Sequence, residues 1–131
     1  MAVAGKGNVL LVDDEEIILD VSREVLRFLG YDAAFAKEGG AAIELYKQGK
    51  ESGQPFDLVI IDLTIPEGLG GQETIEKLRS YDPDVKAVVS SGYTNDPVMQ
   101  EYAKYGFSGR LTKPYRINEM RVLLESMIPK K

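Results

Sequence analysis

The chain contains no cysteine and no histidine. Without cysteine there is no disulfide, no thiol nucleophile and no zinc–thiolate site. Without histidine, imidazole acid–base catalysis, a Ser-His-Asp triad and most transition-metal sites are excluded. Positive charge is also in deficit: 16 Lys and Arg against 21 Asp and Glu leave a net charge of −5. Direct nucleic-acid binding normally needs a basic face, so this balance argues against it. No apolar run approaches the ~18 residues of a membrane span. The opening MAVAGKG is too short and too weakly apolar for a signal peptide. The cytosol is the simplest home for such a chain.

What is present fits one globular domain. The length of 131 residues suits a single core. Hydrophobic residues make up 44% and charged residues 28%, ordinary values for a globular protein. Five short apolar runs recur: NVLLV (8–12), DAAFA (32–36), LVIID (58–62), KAVVS (86–90) and GRLT (109–112). Segments of helical period separate them. In the first, Ile18, Val21, Val25 and Leu29 fall on one face, and Gly30 stops the helix. The second, 40–48, groups Ala42, Leu45 and Tyr46; the third, 72–80, groups Ile75 and Leu78. The fourth starts near Asp96-Pro97, a cap followed by a proline at the first helical position. The fifth runs over 117–127.

Five strand–helix alternations predict an α/β domain with a parallel sheet covered on both faces. The expected organisation is a lead-in over 1–7, disordered or left from cloning, a domain over 8–128 and a tail over 129–131.

In open parallel sheets, ligands bind beyond the carboxyl ends of the strands. The first strand delivers Asp13 and Asp14 there, and the third delivers Asp62. The fourth delivers Ser90, Ser91 and Gly92; the fifth delivers Thr112, Lys113 and Pro114. Singly, each has a plain explanation. Asp14 suits a helix cap, with Glu15 and Glu16 complementing the first turn. Lys113 suits a surface and Ser91 a turn. Together they place three carboxylates, a hydroxyl and an ammonium on one rim. Such a rim repels an anion but suits a hard cation: Mg²⁺ takes oxygen ligands and keeps open positions for a phosphate. A carboxylate beside it can attack phosphorus and form an aspartyl phosphate.

With these residues in hand, the chain resembles the receiver domains of two-component response regulators, over roughly 8–127. VDDE resembles the family's acidic pair, and IIDLTIPEGLGG its phosphoacceptor strand and loop. VVSSGY resembles the strand that ends in a hydroxyl and a small residue, and LTKPY the Lys-Pro step. The resemblance implies a flavodoxin-like (βα)5 fold, doubly wound, with strand order 2-1-3-4-5. It implies Asp62 as phosphoacceptor, with Mg²⁺ (or Mn²⁺) held by Asp13, Asp14, Asp62 and the Thr64 carbonyl. Ser91, Gly92 and Lys113 would meet the phosphoryl group. Pro66 and Gly70 would shape the loop, and the Lys113–Pro114 bond would be cis. The implied donor is a phosphohistidine on a histidine kinase or phosphotransfer protein. The implied setting is the bacterial cytoplasm, with a membrane-anchored parent protein compatible with it. A homodimer through the fourth helix, fifth strand and fifth helix is a further implied partner.

One position departs from the pattern: Arg110 stands where many receivers carry a switching aromatic. The phrases SSGYTNDPVM, YGFSG and KPYR are most similar to receivers of hybrid sensor histidine kinases. Three rivals carry less. A degenerate receiver that only binds partners would not need the full site. An aspartate-nucleophile phosphatase of the haloacid-dehalogenase type wants a second Asp where Thr64 stands. A flavin binder wants a phosphate loop where this chain has DDEE.

Overall fold

β1 (Asn8–Val12) carries four consecutive fully buried residues, Val9 to Val12. A strand without polar alternation needs cover on both faces. Leu10 and Val12 enter one core cluster, Val9 and Leu11 the other. The computed structural model describes residues 5–65, 68 and 70–128. Gly5–Gly7 already engage the turn after the first helix, ahead of the expected start at Asn8: the Asp32 N–H donates to the Gly7 carbonyl at 2.9 Å.

Four more strands run parallel to β1: β2 (Asp32–Ala36), β3 (Leu58–Asp62), β4 (Ala87–Ser91) and β5 (Gly109–Thr112). The sheet order is β2-β1-β3-β4-β5, as expected. The order reverses between β1 and β3, which leaves a crevice at their carboxyl ends. α1 (Glu16–Leu29) and α5 (Ile117–Met127) cover one face through Leu19, Val25, Leu26, Met120 and Leu124. α2 (Gly39–Glu51), α3 (Gly71–Tyr81) and α4 (Pro97–Gln100) cover the other through Ala42, Ile43, Tyr46, Ile75, Leu78, Val98 and Met99.

The face of α1 differs from the expected one. Its buried stripe is Leu19, Ser22, Val25, Leu26 and Leu29, while Ile18 is half-buried, Val21 is 49% exposed and Ile17 72% exposed. The helix holds enough apolar residues for two stripes, and the sheet takes only one. Gly30 ends it in the left-handed region, φ 92°.

Smaller differences follow from local chemistry. α2 starts one residue earlier than expected because Glu38 caps it, accepting the Gly40 and Ala41 N–H groups at 2.7 and 2.9 Å, and it runs on to Glu51. Ile43, not Leu45, joins Ala42 and Tyr46 in the buried set. β4 sits one residue later than expected. Asp96 caps α4 by accepting the Val98 N–H at 2.9 Å, and Pro97 opens it. α4 then breaks at Glu101 (φ −119°, ψ 45°), and the chain resumes as a 3₁₀ turn over Tyr102–Tyr105. Among the described residues, no helix is long and apolar enough to cross a membrane.

Candidate functional site

Strand alternation aims the acids. Val9 and Leu11 of β1, and Leu58 and Ile60 of β3, face α1 and α5. Two residues further on, Asp13 and Asp62 fall on that same face. Val12 pairs with Ile61, so Asp13 and Asp62 leave the sheet side by side. Both are almost fully buried. Asp14 follows, and ligand oxygens of Asp13, Asp14 and Asp62 lie within 4.8 Å of one another.

One ammonium answers them. Lys113 continues the face of Leu111 past the end of β5. Its Nζ lies 2.6 Å from Asp13 Oδ2, 3.3 Å from Asp62 Oδ1 and 3.6 Å from Glu15 Oε1. Burial works against its charge, but the Asp13 hydrogen bond and the charges of Asp62 and Asp13 outweigh it and hold Lys113 above its ordinary range. Asp62 is pushed above the usual carboxylate range, first by burial and then by repulsion from Asp13, with Lys113 and the Thr64 N–H pulling the other way. Among the described residues, a single ammonium thus faces the carboxylates of Asp13, Asp62 and Glu15. Hard oxygen donors in surplus on one rim form a donor set that fits Mg²⁺.

The remaining expected residues fall around this centre. The Thr64 N–H donates to Asp62 Oδ1 at 3.3 Å. Gly70 is the residue before α3, in extended backbone (φ −76°, ψ 179°). Pro66 lies outside the described residues. Ser91 is buried, and its Oγ accepts the Tyr93 N–H at 3.0 Å, closing the turn after β4. Gly92 is exposed, with open space where a Cβ would stand. The Lys113 N–H donates to the Ser91 carbonyl at 3.0 Å. The Lys113–Pro114 bond is cis. Arg110 is exposed on β5, and its Nη1 donates to the Met99 carbonyl at the end of α4, at 3.3 Å.

Asp14 is not the helix cap. Asp13 Oδ1 accepts the Glu15 N–H at 2.9 Å, and Glu15 occupies the cap position without a side-chain bond. The buried acid therefore both orders the entry to α1 and faces Lys113.

Three roles escape sequence reasoning. Glu15 reaches Lys113 from the helix side. Gly71 is required sterically: a Cβ there would stand 2.9 Å from the Asp62 carbonyl and 3.1 Å from Leu63 Cα. The Gly70-Gly71 pair carries the signal, but sequence reasoning reads only its first member. Ser90, the register partner of Asp62, holds the Tyr115 hydroxyl at 2.5 Å.

The geometry agrees with relationships across known proteins. A family model described as the response regulator receiver domain matches residues 9–125. The sensor kinase CckA of Brucella abortus is 30% identical over 131 residues, 98% of this chain and 13% of that protein. The aerobic respiration control sensor protein ArcB of Escherichia coli is 31% identical over 119 residues, 90% of this chain and 15% of that protein. The chain thus spans a small part of those kinases. It matches 94% of the sporulation initiation phosphotransferase F of Bacillus subtilis at 27% identity, over 94% of its own length. Among solved structures, the receiver domain of a Pseudomonas aeruginosa sensor histidine kinase, with magnesium in its active-site cleft, superposes with TM-score 0.81. That pair is 21% identical over 93% of this chain and 97% of the other. The Vibrio cholerae chemotaxis protein CheY4 gives TM-score 0.83 at 23% identity, over 94% and 99% of the two chains. These structural likenesses speak to the fold, and the family match speaks to kinship. With its carboxylate rim and half-buried lysine at the switch point of a 2-1-3-4-5 sheet, the chain belongs to the response regulator receiver domain family.

Proposed function

We propose that this domain accepts a phosphoryl group on Asp62 from a phosphohistidine. The observation that carries the reading is Asp62 itself: a buried carboxylate at a strand end, paired with Lys113 at 3.3 Å and crowded by Asp13. In the step, an Asp62 oxygen attacks phosphorus and a P–O bond forms. The donor's P–N bond breaks, and its electron pair returns to the imidazole. Lys113 faces the charge that grows on the phosphoryl oxygens, and preorganised charge of this kind needs no rearrangement during reaction. Asp13, Asp14, Asp62 and the Thr64 carbonyl are the groups that would hold Mg²⁺. When bound, it would neutralise the acids and the incoming phosphoryl oxygens; Mn²⁺, with similar oxygen preference, is the substitute.

The chain has no histidine, so the donor lies on another protein or on another part of a longer parent. The matches to two sensor kinases support an origin as the receiver region of a hybrid kinase. Ile17 is exposed on the first turn of α1, three residues from Asp14, and Val21 stands one turn further along. An apolar pair beside the acidic rim suits a protein donor that must lay its histidine against Asp62.

Intact-mass spectrometry after incubation with acetyl phosphate and Mg²⁺ tests the assignment. One phosphoryl adduct is expected, absent with EDTA and absent in Asp62→Asn. A fully phosphorylated Asp62→Asn protein would refute it.

A further inference from the structure

The turn that carries Lys113 is fastened to β4 at both ends. At one end, the Lys113 N–H donates to the Ser91 carbonyl at 3.0 Å. At the other, the Tyr115 hydroxyl and Ser90 Oγ lie 2.5 Å apart, a short hydroxyl–hydroxyl hydrogen bond. Ser90 is fully buried, so its oxygen needs an internal partner. It is also the residue paired with Asp62 across the sheet, and its carbonyl accepts the Leu63 N–H at 2.9 Å. The strand that locates Asp62 therefore also locates Tyr115. A phenylalanine would fill the same space but leave the Ser90 hydroxyl without its partner. Burial raises Tyr115 above the ordinary phenol range, against the opposing pull of the Ser90 hydrogen bond and of Lys113, so it is a neutral phenol that can donate or accept.

We infer that Tyr115, through its hydroxyl on Ser90, is a positioning residue for phosphoryl transfer: it sets the Lys113–Tyr115 turn so that Lys113 Nζ meets the group arriving at Asp62. The inference rests on Asp62 being the phosphoacceptor. A lysine has four side-chain torsions, so its ammonium is only as well placed as the backbone that carries it. Misplacement by about 1 Å is enough to cost up to ~100-fold in rate. The hydroxyl pair acts on Lys113 and touches no phosphoryl oxygen, which separates it from Ser91 and Lys113 themselves.

The test compares wild type with Tyr115→Phe, Ser90→Ala, Ser90→Thr and the Phe/Ala double variant, using acetyl phosphate and Mg²⁺. Tyr115→Phe keeps the ring and its packing, so a purely structural ring would be indifferent to it. The expected result is a maximal phosphorylation rate lowered roughly 5- to 10-fold in Tyr115→Phe and in Ser90→Ala, at an unchanged half-saturating concentration. Ser90→Thr, which keeps the hydroxyl, restores the rate. The double variant is no slower than the slower single one, because one interaction is removed once. Wild-type rates in both single variants, or losses that multiply in the double, would overturn the inference. The NMR signal of the Lys113 Cε methylene reads the same positioning with no phosphoryl chemistry. It shifts and broadens in Tyr115→Phe if the turn is released, and an unmoved signal overturns the inference. A wild type that takes no phosphoryl group while this signal does shift would defeat the phosphoacceptor reading and leave the bracket standing.

Discussion

Lys113 Nζ lies closer to Asp13 (2.6 Å) than to Asp62 (3.3 Å), although Asp62 is the proposed acceptor. The ammonium thus occupies ground that a divalent cation would contest, since both neutralise the same acids. Lys113→Ala is expected to tighten Mg²⁺ binding by roughly 3- to 10-fold, because two close carboxylates lose the counter-charge that Lys113 supplies. The same variant is expected to slow phosphorylation by about 10- to 100-fold. Calorimetric Mg²⁺ titration beside a labelling time course separates the two effects. Weaker metal binding in the variant would count against this account of the rim.

Gly71 is the second test of site geometry. Both atoms that a Cβ would meet belong to backbone, at the Asp62 carbonyl and Leu63 Cα, so neither can swing aside. Gly71→Ala is expected to destabilise the fold by about 1–3 kcal/mol. It should also slow labelling of Asp62, since relief must come from moving that residue or α3. A melting curve and an acetyl phosphate time course check both; a variant unchanged in each would show that α3 yields freely.

A pH-dependent prediction concerns the far side of the sheet. The Tyr46 hydroxyl donates to Asp82 Oδ2 at 2.6 Å, Lys50 Nζ lies 3.1 Å from that oxygen, and the Asp84 N–H donates to Oδ1 at 3.1 Å. Tyr46 foremost, then Lys50 and the Asp84 N–H, hold Asp82 below the usual carboxylate range against the opposing effect of burial. A depressed carboxylate contributes stability that is full above the unfolded value of ~3.9 and fades as pH falls through the folded value. Tyr46→Phe should therefore cost about 1–2 kcal/mol near pH 7. The difference from wild type should shrink below about pH 4. Urea melts at neutral pH and at low pH decide the matter; a constant difference would mean that packing, not the ionised pair, carries the effect.

Ile17 separates docking from chemistry. Ile17→Asp places a charge on an exposed position, so the fold should hold within ~0.5 kcal/mol. Transfer from a phosphorylated histidine protein should slow by 10-fold or more, while labelling by acetyl phosphate stays at the wild-type rate. Equal slowing with both donors would remove Ile17 from the docking surface.

The sheet was legible because each central strand is an unbroken apolar run ending in chemistry-bearing residues. Alternation then carried Asp13, Asp62 and Lys113 to one face without further information. The helices were legible where a single stripe or a strong cap decides them, as at Asp96-Pro97 and over Ile117–Met127. α1 was misread because Ile17, Ile18 and Val21 satisfy helical period as well as Leu19 and Leu26 do. Only the sheet's position chooses between the stripes. The cap was misread for a related reason: Asp13 and Asp14 are chemically equal in sequence, and only the exit angle of β1 hands the Glu15 N–H to Asp13. Tyr115 follows the Lys-Pro step in LTKPY, but its bond to Ser90 joins positions 25 residues apart. No local pattern encodes that pairing.

The break at Glu101 changes the grain of the surface beyond the site. A long helix moves as one rod, because each added turn is locked by the turns beside it. Here the stretch from Asp96 to Gly106 is two short coils in series, one ending at Gln100 and the other at Tyr105. Arg110 grips the Met99 carbonyl of the first coil, a tie from β5 that a longer helix would not require. Val98 and Met99 anchor the first coil in the core, whereas the second coil has no buried residue. A tug on the turn after β4 would therefore pass to β5 through the first coil and Arg110, and the second coil would hang beside that line rather than in it.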